Sequence, residues 1–321
     1  MFEERINLEP VRESIQQVKN EIGKIIVGQE KLVELLLTAL LANGHVLLEG
    51  FPGLAKTLSA KILARTISSD FKRIQFTPDL MPSDVLGTAV FNFKNSEFEY
   101  KKGPIFTNIV LIDEINRAPA KTQAALFEVM EERQVSAEGI TYPMAKPFII
   151  IATQNPIDME GTYRLPEAQM DRFMFKIVVD YPNVEEEIEI LNRFHTKKNS
   201  IDLDSIQAIL TESKIGEHQD LVKSVVVEPK LIQYIAEIIN KTRSYRDIQI
   251  GASPRASLAL LSGAKALAVI RGRDFITPDD INDLTGPVIN HRISLSPEKE
   301  MEGVSPSAIV DALVKSIEIP R

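Results

Sequence analysis

The 321-residue chain contains no cysteine, which excludes disulfides and thiolate metal sites and gives no sign of an oxidising compartment. A reducing cytoplasm is the expected location. Its four histidines, His45, His195, His218 and His291, are scattered without the i, i+4 spacing of a metal-binding pair, so they read as packing or surface residues and no protein metal cluster is expected. Positive charge is short as well. The formal net charge of -8 argues against broad affinity for nucleic acid, because such binding rests on clustered Lys and Arg. Long hydrophobic runs are lacking too: the N-terminus MFEERINLEP has charges where a signal peptide needs an apolar centre, and LVELLLTALLANGHVLLEG is broken by Glu34, Asn43 and Gly44. No membrane insertion is expected. There is neither an internal repeat nor a low-complexity tract, and the length suits two compact domains.

What is present is an alternation of short β-branched runs with helical segments, the signature of a parallel sheet with crossover helices. Five runs qualify, at 45–49, 73–77, 109–113, 148–153 and 176–180, each nearly continuous in apolar character as a strand covered on both faces would be. Two segments, 84–106 and 134–146, carry turn chemistry and aromatics instead and read as hairpins or insertions. After Pro182 the strand pattern stops, and helices are expected near 185–198, 203–212, 229–243, 254–271, 277–284 and 306–317. Thr277, Pro278 and Asp280 stand in order as N-cap, first-turn proline and capping-box acid, and Ser253-Pro254 places Arg255 in the first turn of another helix. The expected plan is an α/β nucleotide-binding core over 1–182, with a five-stranded parallel sheet, followed by a smaller all-α domain over 183–321.

The stretch HVLLEGFPGLAKTLSAKILA, residues 45–64, reads as a buried strand, a glycine-bearing loop and a helix. It matches the phosphate-binding pattern G-x-x-x-x-G-K-S/T at Gly50, Lys56 and Thr57, with Ala55 in place of the second glycine. Such a loop works by converging backbone N–H groups and a helix dipole on the anion, while the lysine neutralises the outer phosphate oxygens. Gly50 and Gly53 occupy the positions expected to need positive φ. Ala55 is expected at the helix start with helical dihedrals, where alanine is a good helix former. Taken alone, the loop could be a plain strand-to-helix turn.

The second motif changes that balance. NIVLIDEINRA ends an apolar run in Asp113 and Glu114 at a strand's carboxyl end, where open α/β sheets bind ligands. Asp113, with the Thr57 hydroxyl, is placed to hold a magnesium ion, and Glu114 to polarise an attacking water. A third strand, FIIIATQNP, ends in Gln154 and Asn155, either of whose amides could position water, although Asn-Pro is also a turn signal.

Together VGQE, GFPGLAKT, LIDEINRAP, ATQNP, LPEAQMDRFMFK and GASPRA resemble the MoxR family of AAA+ ATPases over nearly the whole chain. GLAKT is a spelling found in that family. The resemblance implies ATP and Mg²⁺ as cofactors, held by Val27 and Gly28 around adenine and by Gly50, Pro52, Gly53, Leu54, Ala55, Lys56, Thr57 and Leu58 around the phosphates. It implies Asn155 as a sensor, Arg172 as an arginine finger reaching into a neighbouring subunit, with Arg164 as its rival, and Arg255 as a second sensor contacting the γ-phosphate from the helical lid. It also implies a homo-oligomer, a hexameric ring, in which hydrolysis rotates the lid against the core. A partner with a von Willebrand factor A domain and a protein client to be remodelled or matured follow from the same resemblance, with the two insertions facing the pore or the client. The alternatives are a nucleic-acid motor of the related helicase branch and a nucleotide-gated scaffold. The run VEEEIEI at 184–190 is most simply the exposed first turns of a helix, and KNSEFEYKKG a solvated hairpin.

Overall fold

The computed structural model describes residues 7–94, 96–156, 163, 165–196 and 203–320. Helices α1 (Glu9–Gly23) and α2 (Glu30–Leu41) precede strand β1 (Val46–Glu49), and α3 (Lys56–Thr66) leads to β2 (Phe71–Gln75). The short helix α4 (Pro82–Leu86) opens an antiparallel hairpin, β3 (Gly87–Asn92) with β4 (Glu97–Lys102). Strand β5 (Ile109–Asp113) and helix α5 (Ala120–Glu132) follow, then a second hairpin, β6 (Gln134–Ala137) with β7 (Ile140–Pro143), and then β8 (Ile149–Gln154), α6 (Glu167–Met170) and β9 (Phe175–Val178). The five strands at the expected runs pair in parallel in the order β2-β5-β8-β1-β9.

Burial explains why these runs read as continuous. Alternate residues enter two different cores: Val46, Leu48, Ile109, Leu111, Ile149 and Ile151 pack on one face of the sheet, while Leu47, Val110, Ile112, Ile150 and Ala152 pack on the other. Strand β2 departs from that expectation. It lies at the sheet edge, with Lys72, Arg73 and Gln75 exposed and Ile74 alone buried.

The remaining elements are α7 (Val184–Thr196), α8 (Glu212–Lys223), α9 (Pro229–Ser244), β10 (Ile248–Ile250), α10 (Pro254–Ile270), α11 (Pro278–Ile289), β11 (Ser294–Leu295), α12 (Pro297–Met301) and α13 (Pro306–Lys315). Two expectations fail here. Strand pairing does not stop after Pro182, because β10 and β11 form a small antiparallel ribbon. The helix expected at 203–212 is a single 3-10 turn, Leu203–Ser205. Beyond it the backbone N–H groups of Ile209 and Leu210 both donate to the Thr66 carbonyl, at 2.7 and 3.1 Å, which holds the apolar run extended across the end of α3. The true helix α8 begins after Thr211, whose hydroxyl accepts from the Lys214 N–H.

Caps at the later helices follow their sequence signals. Thr277 and Asp280 form a capping box on α11, and the Ser253 hydroxyl accepts from the Arg255 N–H at the start of α10. Helix α10 is the hub: its buried side chains share one apolar cluster with α1, α2, α3 and α11 and with one face of the sheet. Gly263 permits that contact, since a Cβ there would stand 2.9 Å from Leu284 Cδ1 and 3.2 Å from Phe175 Cζ. No described helix is long and apolar enough to cross a membrane.

Candidate active site

Strand β1 delivers the chain into the loop, and α3 begins at Lys56. Gly50 is required there by close approach and not by a positive φ, contrary to expectation: a Cβ would lie 2.7 Å from the Val179 carbonyl. Gly53 does have a positive φ of +89°, with open space around it. Ala55 overturns the helical expectation. It sits at φ 55°, ψ 16°, a left-handed N-cap residue, so the second glycine of the general pattern marks a true left-handed position that this chain fills with the smallest L side chain.

Helix α3 starts without a side-chain cap and without an acid in its first turn, leaving its first N–H groups for an external anion. Lys56 Nζ donates to the Gly50 carbonyl and, at 2.8 Å, to the Phe51 carbonyl. Burial lowers the Lys56 pKa from the ordinary lysine value, against the opposing pull of Asp113, Glu114 and Glu49.

Strand β5 places Asp113 opposite this helix start, nearly buried. The Thr57 hydroxyl lies 3.4 Å from both Asp113 carboxylate oxygens, and the Thr153 hydroxyl donates to Oδ1 at 3.1 Å while accepting from the Glu114 N–H at 3.0 Å. Glu114 leaves the strand in a left-handed conformation, φ 56° and ψ 54°. Its Oε2 accepts from Gln75 Nε2 and pairs with Arg117 Nε, both at 3.0 Å. Arg73, two residues before Gln75 on the same side of β2, donates from Nε to Asp113 Oδ2 at 2.6 Å. Nothing local in the sequence marks Arg73, Gln75 and Thr153: each meets its acid through strand pairing.

These groups line one cleft of about 360 Å³ that runs from Pro52 to Leu58 and takes in Arg73, Gln75, Asp113, Glu114, Thr153, Gln154 and Asn155. Among the described residues the Gln154 Oε1 is buried without a partner. Gly28, with φ +70°, lines a neighbouring cleft of about 700 Å³ together with Lys176, Tyr181, Asn282 and Gly286, whereas Val27 lines neither. Tyr181 stacks on Phe51 of the phosphate loop with ring centroids 5.5 Å apart.

Arg172 and Arg255 are held elsewhere, and together. Arg172 Nη1 donates to Glu131 Oε2 at 3.1 Å and to the Phe127 carbonyl at 3.0 Å, while Arg255 Nη2 donates to Glu131 Oε1 at 2.7 Å. Neither arginine lines the phosphate-loop cleft of its own chain. The turn that carries Arg172 is fixed by the lid: Arg292, buried, donates to Asp171 Oδ1 at 2.7 Å and to the Phe173 carbonyl at 2.6 Å, and the Ser253 hydroxyl donates to Asp171 Oδ2 at 2.9 Å. Nothing local in the sequence marks Glu131 and Arg292, since each contact spans more than forty positions. Arg164 lies outside the described residues.

Comparison with known proteins bears on this arrangement. Residues 45–175 match the family model for the ATPase family associated with various cellular activities (AAA), and residues 240–313 match that for the AAA lid domain. Chaperone MoxR1 of Mycobacterium tuberculosis is 43% identical over 310 residues, covering 94% of this chain and 81% of its own. The chain belongs to the MoxR family of AAA+ ATPases. The uncharacterized protein YeaC of Bacillus subtilis is 45% identical over 299 residues, covering 93% of this chain and 92% of its own. Protein MoxR of Methylorubrum extorquens is 28% identical over 329 residues, covering 95% and 94%. The crystal structure of a candidate ATPase from Cytophaga hutchinsonii superposes with a TM-score of 0.90 at 42% identity, covering 98% of this chain and 97% of that one.

The residues of this MoxR-family site fit a magnesium nucleotide. The uncapped start of α3 and Lys56 offer donors and charge to the phosphates, and the Thr57 hydroxyl beside the Asp113 carboxylate offers oxygen ligands to a hard cation.

Proposed function

We propose that this chain is a magnesium-dependent ATP hydrolase, converting ATP to ADP and phosphate to remodel or mature partner protein complexes in the cytoplasm. The observation that carries the proposal is the convergence of Lys56, Thr57, Asp113 and Glu114 on one cleft at the carboxyl end of the sheet. Lys56 and the α3 N-terminus bind and orient the phosphates. Magnesium, when bound by Thr57 and Asp113, supplies charge neutralisation at the phosphate oxygens. Glu114, fixed by Gln75 and Arg117, is the acceptor for a water proton. Asn155, and the Gln154 amide beside it, orient that water.

Phosphoryl transfer also needs positive charge opposite the loop, and a chain that keeps Arg172 and Arg255 on Glu131 does not bring them to its own cleft. The geometry supports a reading in which both arginines serve a neighbour's nucleotide, in a homo-oligomer of ring form, with residues 1–182 as nucleotide-binding core and 183–321 as lid. The name of the mycobacterial relative, a chaperone, supports a protein client. So does the β3–β4 hairpin, where Phe91 packs edge-on against Phe93 and Phe98 with all three rings exposed. A partner with a von Willebrand factor A domain is proposed from the family resemblance.

The test is steady-state ATP turnover with magnesium. Wild type is expected to turn over, Lys56→Ala to lose nucleotide binding, and Glu114→Gln to bind without turnover. Turnover in Glu114→Gln equal to wild type would remove Glu114 from the chemistry. Turnover raised by single- or double-stranded DNA would favour the nucleic-acid motor instead, and no turnover in any form would leave the nucleotide-gated scaffold.

A further inference from the structure

The Asp113 carboxylate is 7% exposed, and a carboxylate so far from water needs positive charge beside it. Thr57 and Thr153 bring only neutral hydroxyls. Lys56 keeps its ammonium on the Gly50 and Phe51 carbonyls. The cation in hydrogen-bond contact with Asp113 is Arg73, whose Nε donates to Oδ2 at 2.6 Å. Strand pairing explains the contact: Arg73 stands opposite Leu111 and Gln75 opposite Asp113, so the long side chain reaches two positions along the ladder on one side of the sheet. Ile74, between them, is buried on the other side.

Arg73 is not held as a brace. A brace in this chain looks like Arg292, 3% exposed and bonded to Asp171 and to the Phe173, Met174 and Val288 carbonyls. Arg73 is 54% exposed on the edge strand of the sheet, and its second bond, from Nη2 to Gln75 Oε1, is 3.3 Å long. A guanidinium so exposed exchanges its partner for water at little cost. Its partner atom is also claimed twice. Oδ2 is one of the two oxygens 3.4 Å from the Thr57 hydroxyl, the pair assigned above to magnesium, while Oδ1 already accepts from Thr153. A guanidinium and a dication on one oxygen repel each other.

We propose that Arg73 is a positioning residue that acts through Asp113: it neutralises that carboxylate while nucleotide is bound without metal, and yields Oδ2 when the magnesium nucleotide binds. The proposal rests on the reading that Thr57 and Asp113 hold magnesium. Linkage gives the consequence. Arg73 favours metal-free nucleotide by shielding its phosphates from Asp113, and it opposes the metal by competing for the same oxygen, so it limits the gain in nucleotide affinity that magnesium brings. Arg73 thereby sets how sharply the cleft discriminates magnesium nucleotide from free nucleotide.

The test measures the dissociation constant of a fluorescent, non-hydrolysable ATP analogue on the full chain, in excess EDTA and in saturating magnesium, and takes the ratio of the two. Magnesium is expected to tighten binding to wild type. Arg73→Gln is expected to raise the ratio by about fivefold or more, chiefly by weakening the metal-free complex. In an Asp113→Asn background the same substitution should shift the ratio by less than about twofold, because the carboxylate through which Arg73 acts is gone. A purely structural loss would weaken both constants alike and leave the ratio where it was. An unchanged or smaller ratio in Arg73→Gln would therefore overturn the proposal while leaving the magnesium reading intact. An equal shift in the two backgrounds would also overturn it, since Arg73 would then act on the phosphates directly. Wild-type binding indifferent to magnesium would overturn the magnesium reading, and the proposal with it.

Discussion

Ala55 shows how much chemistry one residue's backbone can carry. In a helical first turn, glycine in its place would cost about 1 kcal/mol. At the observed φ of 55° the sign reverses, because an L residue in the left-handed region carries about 1–2 kcal/mol of strain that glycine does not feel. Ala55→Gly is therefore expected to leave the chain as stable as wild type or more stable by up to about 1 kcal/mol, measured by chemical denaturation. A loss of about 1 kcal/mol would contradict the left-handed assignment. Because only the Ala55 methyl is removed from the cleft, ATP affinity should stay within about tenfold of wild type, about 1.4 kcal/mol. The sequence located this residue correctly and misread its conformation, since the residue type alone does not distinguish the last residue of a loop from the first of a helix.

At the scale of elements, what was legible depended on how local the cause was. Buried strands announced themselves through unbroken apolar runs because both faces of the sheet are covered. The cap at Thr277 and the acids at Asp113 and Glu114 also rest on neighbours in sequence. Helix α8 did not: the apolar run before it is held extended by the Thr66 carbonyl, a contact from more than a hundred positions away. Likewise, Arg73, Gln75, Glu131 and Arg292 acquire their partners only through tertiary pairing.

The entry to β1 carries a titratable device of the same kind. His45 is buried, accepts from the Ile150 N–H at Nδ1, 3.0 Å away, and faces the Met130 carbonyl at 3.2 Å from Nε2, which fixes the neutral tautomer with its proton on Nε2. Burial, with Arg133 nearby, lowers its pKa to about 3. The unfolded chain takes up this proton below about pH 6.5 while the folded chain does not until far lower. Stability from His45 is thus complete above pH 6.5 and declines as pH falls from there toward 3. Buried His291, also lowered chiefly by burial, acts with the same sign. From pH 7 to pH 5 the His45 contribution should fall by about 2 kcal/mol. His45→Gln, followed by denaturation at both pH values, should show a shallower dependence than wild type, and an unchanged slope would count against a neutral buried His45.

At the scale of the whole molecule, lid and core are not loosely joined. One apolar cluster runs from α1 and α2 into α10 and α11, and Arg292 of the lid grips the turn that carries Arg172. That geometry ties the turn carrying Arg172 to the lid, so that in the proposed homo-oligomer a change at one cleft would be passed to a neighbouring copy through its arginines. Almost nothing of this was legible in the sequence, where Arg172 and Arg255 stand 83 positions apart and their shared partner Glu131 looks like any acid on a helix.

The proposed site is a cleft built from Lys56, Thr57, Asp113 and Glu114 and completed by arginines from another copy. Mixing Glu114→Gln with Arg172→Ala tests it most directly, with steady-state ATP turnover followed after subunit exchange has been verified. Each variant alone is expected to be nearly inactive. Random pairing in an equal mixture places a wild-type Arg172 opposite an intact Glu114 in about a quarter of the clefts. Turnover should therefore return to a clear fraction of wild type. No recovery in assemblies shown to contain both chains would contradict completion in trans and place Arg172 in the cleft of its own subunit or outside the chemistry.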